Sequence, residues 1–115
     1  MPDWIDVVPA TELGPGKSHF IEVGDVTIAV FNLGGEYFAL KDACSHDGSR
    51  MLSCGVEAKF IVHGERLMCP RHGAQFCIRT GAVLSPPARN NLATFPVRIE
   101  NDKIQVLAKA LPDSA

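Results

Sequence analysis

The chain has 115 residues, 46% hydrophobic and 21% charged, with 11 Lys or Arg against 13 Asp or Glu and a formal net charge of -2. That length allows one compact domain hiding roughly two thirds of its unfolded surface, with no room for a second, catalytic domain. The charge balance lacks the clustered basic excess of a nucleic-acid module, and no run approaches the length of a membrane span.

The N-terminus, Met1-Pro2-Asp3-Trp4-Ile5-Asp6, is acidic and is not a basic start ahead of an apolar stretch. No secretory signal is expected, and the reading is a cytoplasmic protein. Residues 17–23 and 26–33 are rich in β-branched and aromatic side chains and flank Gly24-Asp25, which predicts a hairpin. Gly34-Gly35 then turns the chain into a strand over 36–41. Near the end, residues 97–100 and 103–107 flank Asn101-Asp102, a second tight turn. In Val97-Arg98-Ile99-Glu100 the apolar residues alternate, as in a strand with one buried face. Helical periodicity is poor throughout, and the tail after Leu111 reads as a frayed end. The prediction is an antiparallel β scaffold with residues from about 41 to 84 forming a metal-binding subdomain inserted between its strands.

Two motifs lie in that middle region: Cys44-Ser45-His46 and, after 22 intervening residues, Cys69-Pro70-Arg71-His72. Each offers one thiolate and one imidazole, and two such pairs hold soft metal ions. One sulfur and one nitrogen from each motif suit a [2Fe-2S] unit with two unlike irons, in which two cysteines hold one iron and two histidines the other. A tetrahedral structural zinc site uses the same Cys2His2 set. Two disulfides are disfavoured, because the cysteine-histidine spacing is that of a metal site and no export signal supplies an oxidising setting. Cys54 and Cys77 stand elsewhere and read as ordinary thiols. His19 and His63 have no cysteine companion at ligand spacing and read as ordinary histidines.

The chain continues Gly73-Ala74-Gln75-Phe76, then Thr80-Gly81, then Ser85-Pro86-Pro87-Ala88. With the two ligand motifs, this resembles the Rieske-type ferredoxins, whose sequences run H-G-x-x-F, T-G and a proline loop. The resemblance implies an all-β, Rieske-like antiparallel β-sandwich spanning 1–115 as one domain, with the cluster between two loops at one tip. It implies one [2Fe-2S] cluster per chain, held by Cys44, His46, Cys69 and His72. It also implies a monomeric one-electron carrier, not itself an enzyme, taking electrons from a flavin-containing reductase and passing them to a terminal oxygenase or related enzyme. A small Rieske subunit of a larger enzyme, such as assimilatory nitrite reductase, is the alternative within the family. The zinc module is a remote one.

Departures from the family pattern carry their own expectations. High-potential relatives have a further cysteine in each ligand loop, bonded to one another; the matching positions here are Ser49 and Arg71, so that disulfide is absent. Those relatives also place serine and tyrosine hydroxyls two and four residues after the second histidine, where this chain has Ala74 and Phe76. Neither donates a side-chain hydrogen bond to a reduced cluster, so the potential is expected near the low end of the Rieske range, on the order of -150 mV. Gly48, Gly55 and Gly73 read as turn or close-approach positions. Pro86 and Pro87 are implied to form a stiff lid, with Met51 and Leu52 as further apolar cover. The interval between the motifs is longer than is common in small ferredoxins, and the surplus falls in a surface loop over 55–66, where it bears on partner choice. The outer nitrogens of His46 and His72 are expected to face solvent, with protonation linked to oxidation state. Residues 41–80 contain six Lys or Arg against four Asp or Glu, a slightly basic end on an acidic body.

Overall fold

The computed structural model describes residues 4–24, 26–43, 51, 61–70, 73–86 and 90–107. In these residues the chain forms β1 (Trp4–Pro9), a 3-10 turn η1 (Ala10–Glu12), β2 (Ser18–Val23), β3 (Val26–Leu33) and β4 (Glu36–Lys41). It continues with β5 (Val62–His63), β6 (Arg66–Met68), β7 (Gln75–Cys77), β8 (Thr94–Phe95), β9 (Val97–Glu100) and β10 (Lys103–Leu107). Three antiparallel sheets result, ordered β1-β10-β9, β2-β3-β4-β8 and β5-β6-β7. The all-β expectation holds.

Two of the three predicted turns have a local cause in the described residues. Asn101 and Asp102 take φ of 52° and 63° between the paired residues Glu100 and Lys103. A two-residue hairpin needs this left-handed pair to match strand twist, and Asn and Asp are the non-glycine residues that tolerate it best. Gly34 and Gly35, with φ of 62° and 99°, do the same between Leu33 and Glu36. The buried Asn32 fixes this second turn: its Oδ1 accepts the Gly35 N–H at 2.7 Å while its Nδ2 donates to the Leu13 carbonyl at 2.8 Å.

The strand β3 is central, and six of its eight residues are buried. Successive side chains leave opposite faces of a strand, and both faces of β3 are covered. Ile28 and Val30 join Leu13, Ala39, Phe95, Ile104 and Val106 in one apolar group. Ala29 and Phe31 join Leu40, Met51, Ile61, Leu67, Cys69, Phe76 and Ile78 in another. The first group is walled by the β1-β10-β9 sheet, the second by the chain that leaves β4 and carries β5-β6-β7. Two covered faces explain why β3 reads as a continuous apolar run rather than an alternation.

Three features depart from the sequence reading. The strand β1 pairs with β10 across almost the whole chain, Trp4 opposite Leu107 and Ile5 opposite Val106. Its β-rich composition is local, but its partner lies at the other end of the chain. Alternation predicted a buried face for β9, yet Ile99 is 49% exposed although it lies opposite the fully buried Ile104. The strand β9 is the sheet edge, where one flank of an inward-facing side chain stays open. Lastly, the C-terminal half of the supposed surface loop over 55–66 is the β5 strand and its turn, with Ile61 fully buried; residues 55–60 lie outside the described residues.

Arg79 ties the third sheet to the second. Its Nε donates to Glu65 Oε1 at 2.7 Å, in the β5–β6 turn, and its Nη1 donates to Glu36 Oε2 at 3.2 Å, at the start of β4. Its guanidinium carbon lies 5.1 Å from the centroid of the Phe38 ring. The hydrogen bond from Arg79 holds the Glu65 carboxyl below its ordinary value of 4.5. A lowered folded value stabilises the fold above the ordinary value, and that stabilisation is lost as acid carries Glu65 through its folded value. These groups are solvent-exposed, so the effect is small and screened by salt. Arg79→Gln is therefore expected to lower the melting temperature slightly at neutral pH. The difference from wild type should shrink in 1 M salt and below about pH 4; melting curves across pH and salt check it.

Candidate metal centre

Cys69 stands directly after β6, and Ala74 directly before β7. The paired residues Met68 and Gln75 bring these two positions together. The Cys69 N–H donates to the Ala74 carbonyl at 2.7 Å, and the Gly73 N–H donates to the Cys69 carbonyl at 2.9 Å. A predicted ligand thus sits at the base of a doubly bonded turn whose span includes His72. Gly73 has φ of 76° with open space where a Cβ would be, so backbone conformation alone calls for glycine there.

The Cys69 residue is fully buried, in an apolar group with Met51, Leu67, Ala74 and Phe76. Met51 is a fully buried part of that wall. On the other side, the Gln75 N–H donates to Ser85 Oγ at 3.0 Å and the Leu84 N–H donates to the Gln75 carbonyl at 2.7 Å. The Val83 N–H donates to Asn91 Oδ1 at 2.9 Å. The start of the proline loop is thereby fastened to the strand that follows Cys69, leaving Leu84 half exposed beside it.

The other ligand segment leaves from the end of β4. Asp42, the next residue, is 1% exposed, and its Oδ1 accepts the Met51 N–H at 3.1 Å. Cys44 and His46 fall in sequence between these two tied positions. The predicted ligands Cys44, His46 and His72 lie outside the described residues, as do Ser49, Arg71, Gly48, Gly55, Leu52, Pro87, Cys54 and the tail after Leu111. Among the described residues no three His, Cys, Asp or Glu side chains group closely enough to hold a metal ion. His19, in β2, and His63, in β5, are exposed and belong to no such group. Sequence reasoning missed Asp42 and Asn91. The only signal for Asp42 was its place two residues before a ligand motif, at the end of a strand.

The two described cysteines are both free thiols but differ in setting. Cys77, in β7, is half buried; burial pushes its thiol up, while hydrogen bonds with Thr80 and with the Arg79 backbone more than offset this and lower it. Cys69 has the setting expected of a ligand: a buried thiol held outside any disulfide, on a turn braced from both strands, in an apolar wall. Such a wall excludes solvent and lowers the local dielectric, a lever on the properties of a thiolate-bound iron centre. The donor type and setting fit an iron-sulfur cluster.

No helix among the described residues is long and apolar enough to cross a membrane. Residues 3–96 match the Rieske [2Fe-2S] domain family. The 3-phenylpropionate/cinnamic acid dioxygenase ferredoxin subunit of Escherichia coli (strain K12) is 37% identical over 105 residues, which cover 90% of this chain and 93% of that protein. In the solved complex of reduced oxygenase and oxidised ferredoxin in carbazole 1,9a-dioxygenase, one chain matches with a TM-score of 0.82 and 28% identity. The match covers 95% of this chain and 96% of that one. The Sphingomonas yanoikuyae B1 ferredoxin superposes with a TM-score of 0.76 at 25% identity, over 93% of this chain and all of that one. These matches remove the structural-zinc alternative. The chain belongs to the Rieske [2Fe-2S] domain family, as an electron-transfer component bearing a [2Fe-2S] cluster rather than as a catalytic enzyme.

Proposed function

We propose that this protein is a mobile carrier that accepts electrons from a flavin-containing reductase and delivers them to a terminal ring-hydroxylating oxygenase or similar redox enzyme. In this reading Cys44 and Cys69 hold one iron of the cluster and His46 and His72 the other. When bound, the cluster takes up and returns one electron at a time, with the histidine-ligated iron as the site reduced. The single domain spans 1–115, with the cluster-binding subdomain at about 41–84, and works as a monomer in the cytoplasm. The observation that carries the ligand assignment is the fully buried Cys69 on its braced turn between β6 and β7. The carrier role is supported by the relatives, which are ferredoxin subunits of dioxygenases and a ferredoxin in complex with an oxygenase. They favour this role over that of a fixed nitrite reductase subunit.

The residues around Cys69 set the expected potential. Ala74 and Phe76 are both fully buried beside it and offer no side-chain donor in that setting. Hydrogen bonds to a cluster stabilise its reduced, more negative form, so their absence keeps the midpoint low. Titration followed by electron paramagnetic resonance is expected to show one electron per chain, a rhombic signal on reduction and a midpoint on the order of -150 mV. Ala74→Ser, adding one donor, is expected to raise it by on the order of 50 mV. A strongly positive wild-type midpoint overturns the tuning argument. A protein without a reducible cluster overturns the function.

A further inference from the structure

Among the described residues, Asp42 is the one charged side chain buried in the fold, and nothing in the ligand assignment uses it. Its backbone N–H donates to the Thr27 carbonyl at 2.8 Å, carrying the β3–β4 ladder one step past Lys41. Its Oδ1 accepts the N–H of Met51 at 3.1 Å, nine residues on. Met51 in turn is fully buried in the apolar group that contains Cys69 and Leu67. A carboxylate buried at 1% exposure is costly unless its bonds are made. An apolar residue would fill the place at less cost but would leave the Met51 amide unmet.

We infer that Asp42 is a positioning residue for the [2Fe-2S] cluster: its carboxylate pins Met51 into the wall that holds Cys69, and so ties the two ends of the sequence interval that contains Cys44 and His46. The inference rests on the ligand assignment proposed above. A span fixed at both ends has fewer conformations to lose when its ligands engage metal, the general advantage of preorganised sites. Residues that orient ligands without touching the metal commonly govern how tightly it is held.

The test uses the full-length, cluster-loaded protein and follows iron release to a chelator, the shape of the paramagnetic resonance signal and the melting temperature. Asp42→Ala is expected to release iron roughly tenfold faster or more. Asp42→Asn, which keeps an oxygen acceptor of the same reach, should release it close to the wild-type rate and restore the signal shape. Ile104→Val, in the apolar group on the far face of β3, supplies a loss of stability that should leave release and signal unchanged. Wild-type release from Asp42→Ala, while Cys44→Ser still blocks loading, overturns this inference and leaves the ligand assignment standing. Equal acceleration by Ile104→Val reduces Asp42 to a general structural role and also overturns it. Wild-type loading of Cys44→Ser overturns the ligand assignment and this inference with it. Should Asp42→Ala fail to fold, Asp42→Ser decides, because its hydroxyl is too short to reach the Met51 amide: faster iron release than wild type supports the tie, and wild-type release overturns it.

Discussion

Cys69→Ser is expected to leave the purified protein without its cluster, with iron and acid-labile sulfide at background and the red-brown absorbance gone. The thiolate is the metal ligand and is readily formed near neutral pH, whereas a serine hydroxyl stays protonated and supplies neither the charge nor the soft donor. Among the described residues, no other cysteine belongs to the apolar group around it. The position is fully buried and its turn is closed by the Ala74 and Gly73 bonds. The serine hydroxyl would also be a polar group in an apolar wall, at a cost of about 1–3 kcal/mol unless it finds a partner. Cys77→Ser provides the contrast. Cys77 lies in β7 and hydrogen-bonds to Thr80, in a half-buried setting where a hydroxyl is at home. Its iron content and spectrum should match wild type. If Cys69→Ser kept the wild-type iron content and rhombic signal, the assignment of Cys69 as a ligand would be wrong.

Gly81→Ala is expected to be the most destabilising single-methyl change in the described fold, at about 2–4 kcal/mol. Two penalties coincide there. Gly81 has φ of 76°, which a side chain disfavours, and a Cβ would sit 2.5 Å from the Leu92 carbonyl oxygen and 3.0 Å from Thr94 Cγ2. The first obstacle is backbone and cannot turn aside. It is also held in place, because the Leu92 N–H donates to the Gly81 carbonyl and the Gly81 N–H donates to the Cys77 carbonyl, each at 2.7 Å. Moving the chain apart would break the bond that joins the turn after β7 to the segment entering β8. Gly73→Ala separates the two penalties. Gly73 has the same φ but open space around it, so only the conformational cost of about 1–2 kcal/mol should appear. Denaturation of the two variants checks this, and a drop for Gly81→Ala no larger than for Gly73→Ala would show that the segment yields. For a domain of this size the larger loss corresponds to a fall of roughly 10 °C or more in melting temperature.

The partition between sequence and structure follows from the range of each signal. Strands β2, β3, β4, β9 and β10 were legible because β-branched runs and turn pairs such as Asn101-Asp102 act over a few residues. Thr80-Gly81 was legible as a motif, and the structure supplies its reason, a close backbone approach that demands glycine. The pairing of β1 was not, because its partner β10 lies nearly a hundred residues away and nothing local announces it. Nor could composition say that both faces of β3 are covered, that Ile99 stays open at a sheet edge, or that Arg79 joins Glu65 to Glu36.

Asp42 marks the boundary most sharply. An aspartate beside a ligand motif looks like any loop acid, and its burial depends on Thr27 and Met51 arriving from other parts of the chain. The chemistry of the centre was written in residue identity, since thiolate and imidazole are properties of single side chains. The bracing of the centre was not, because a hydrogen bond across nine residues or a wall built from two sheets exists only once distant segments have packed.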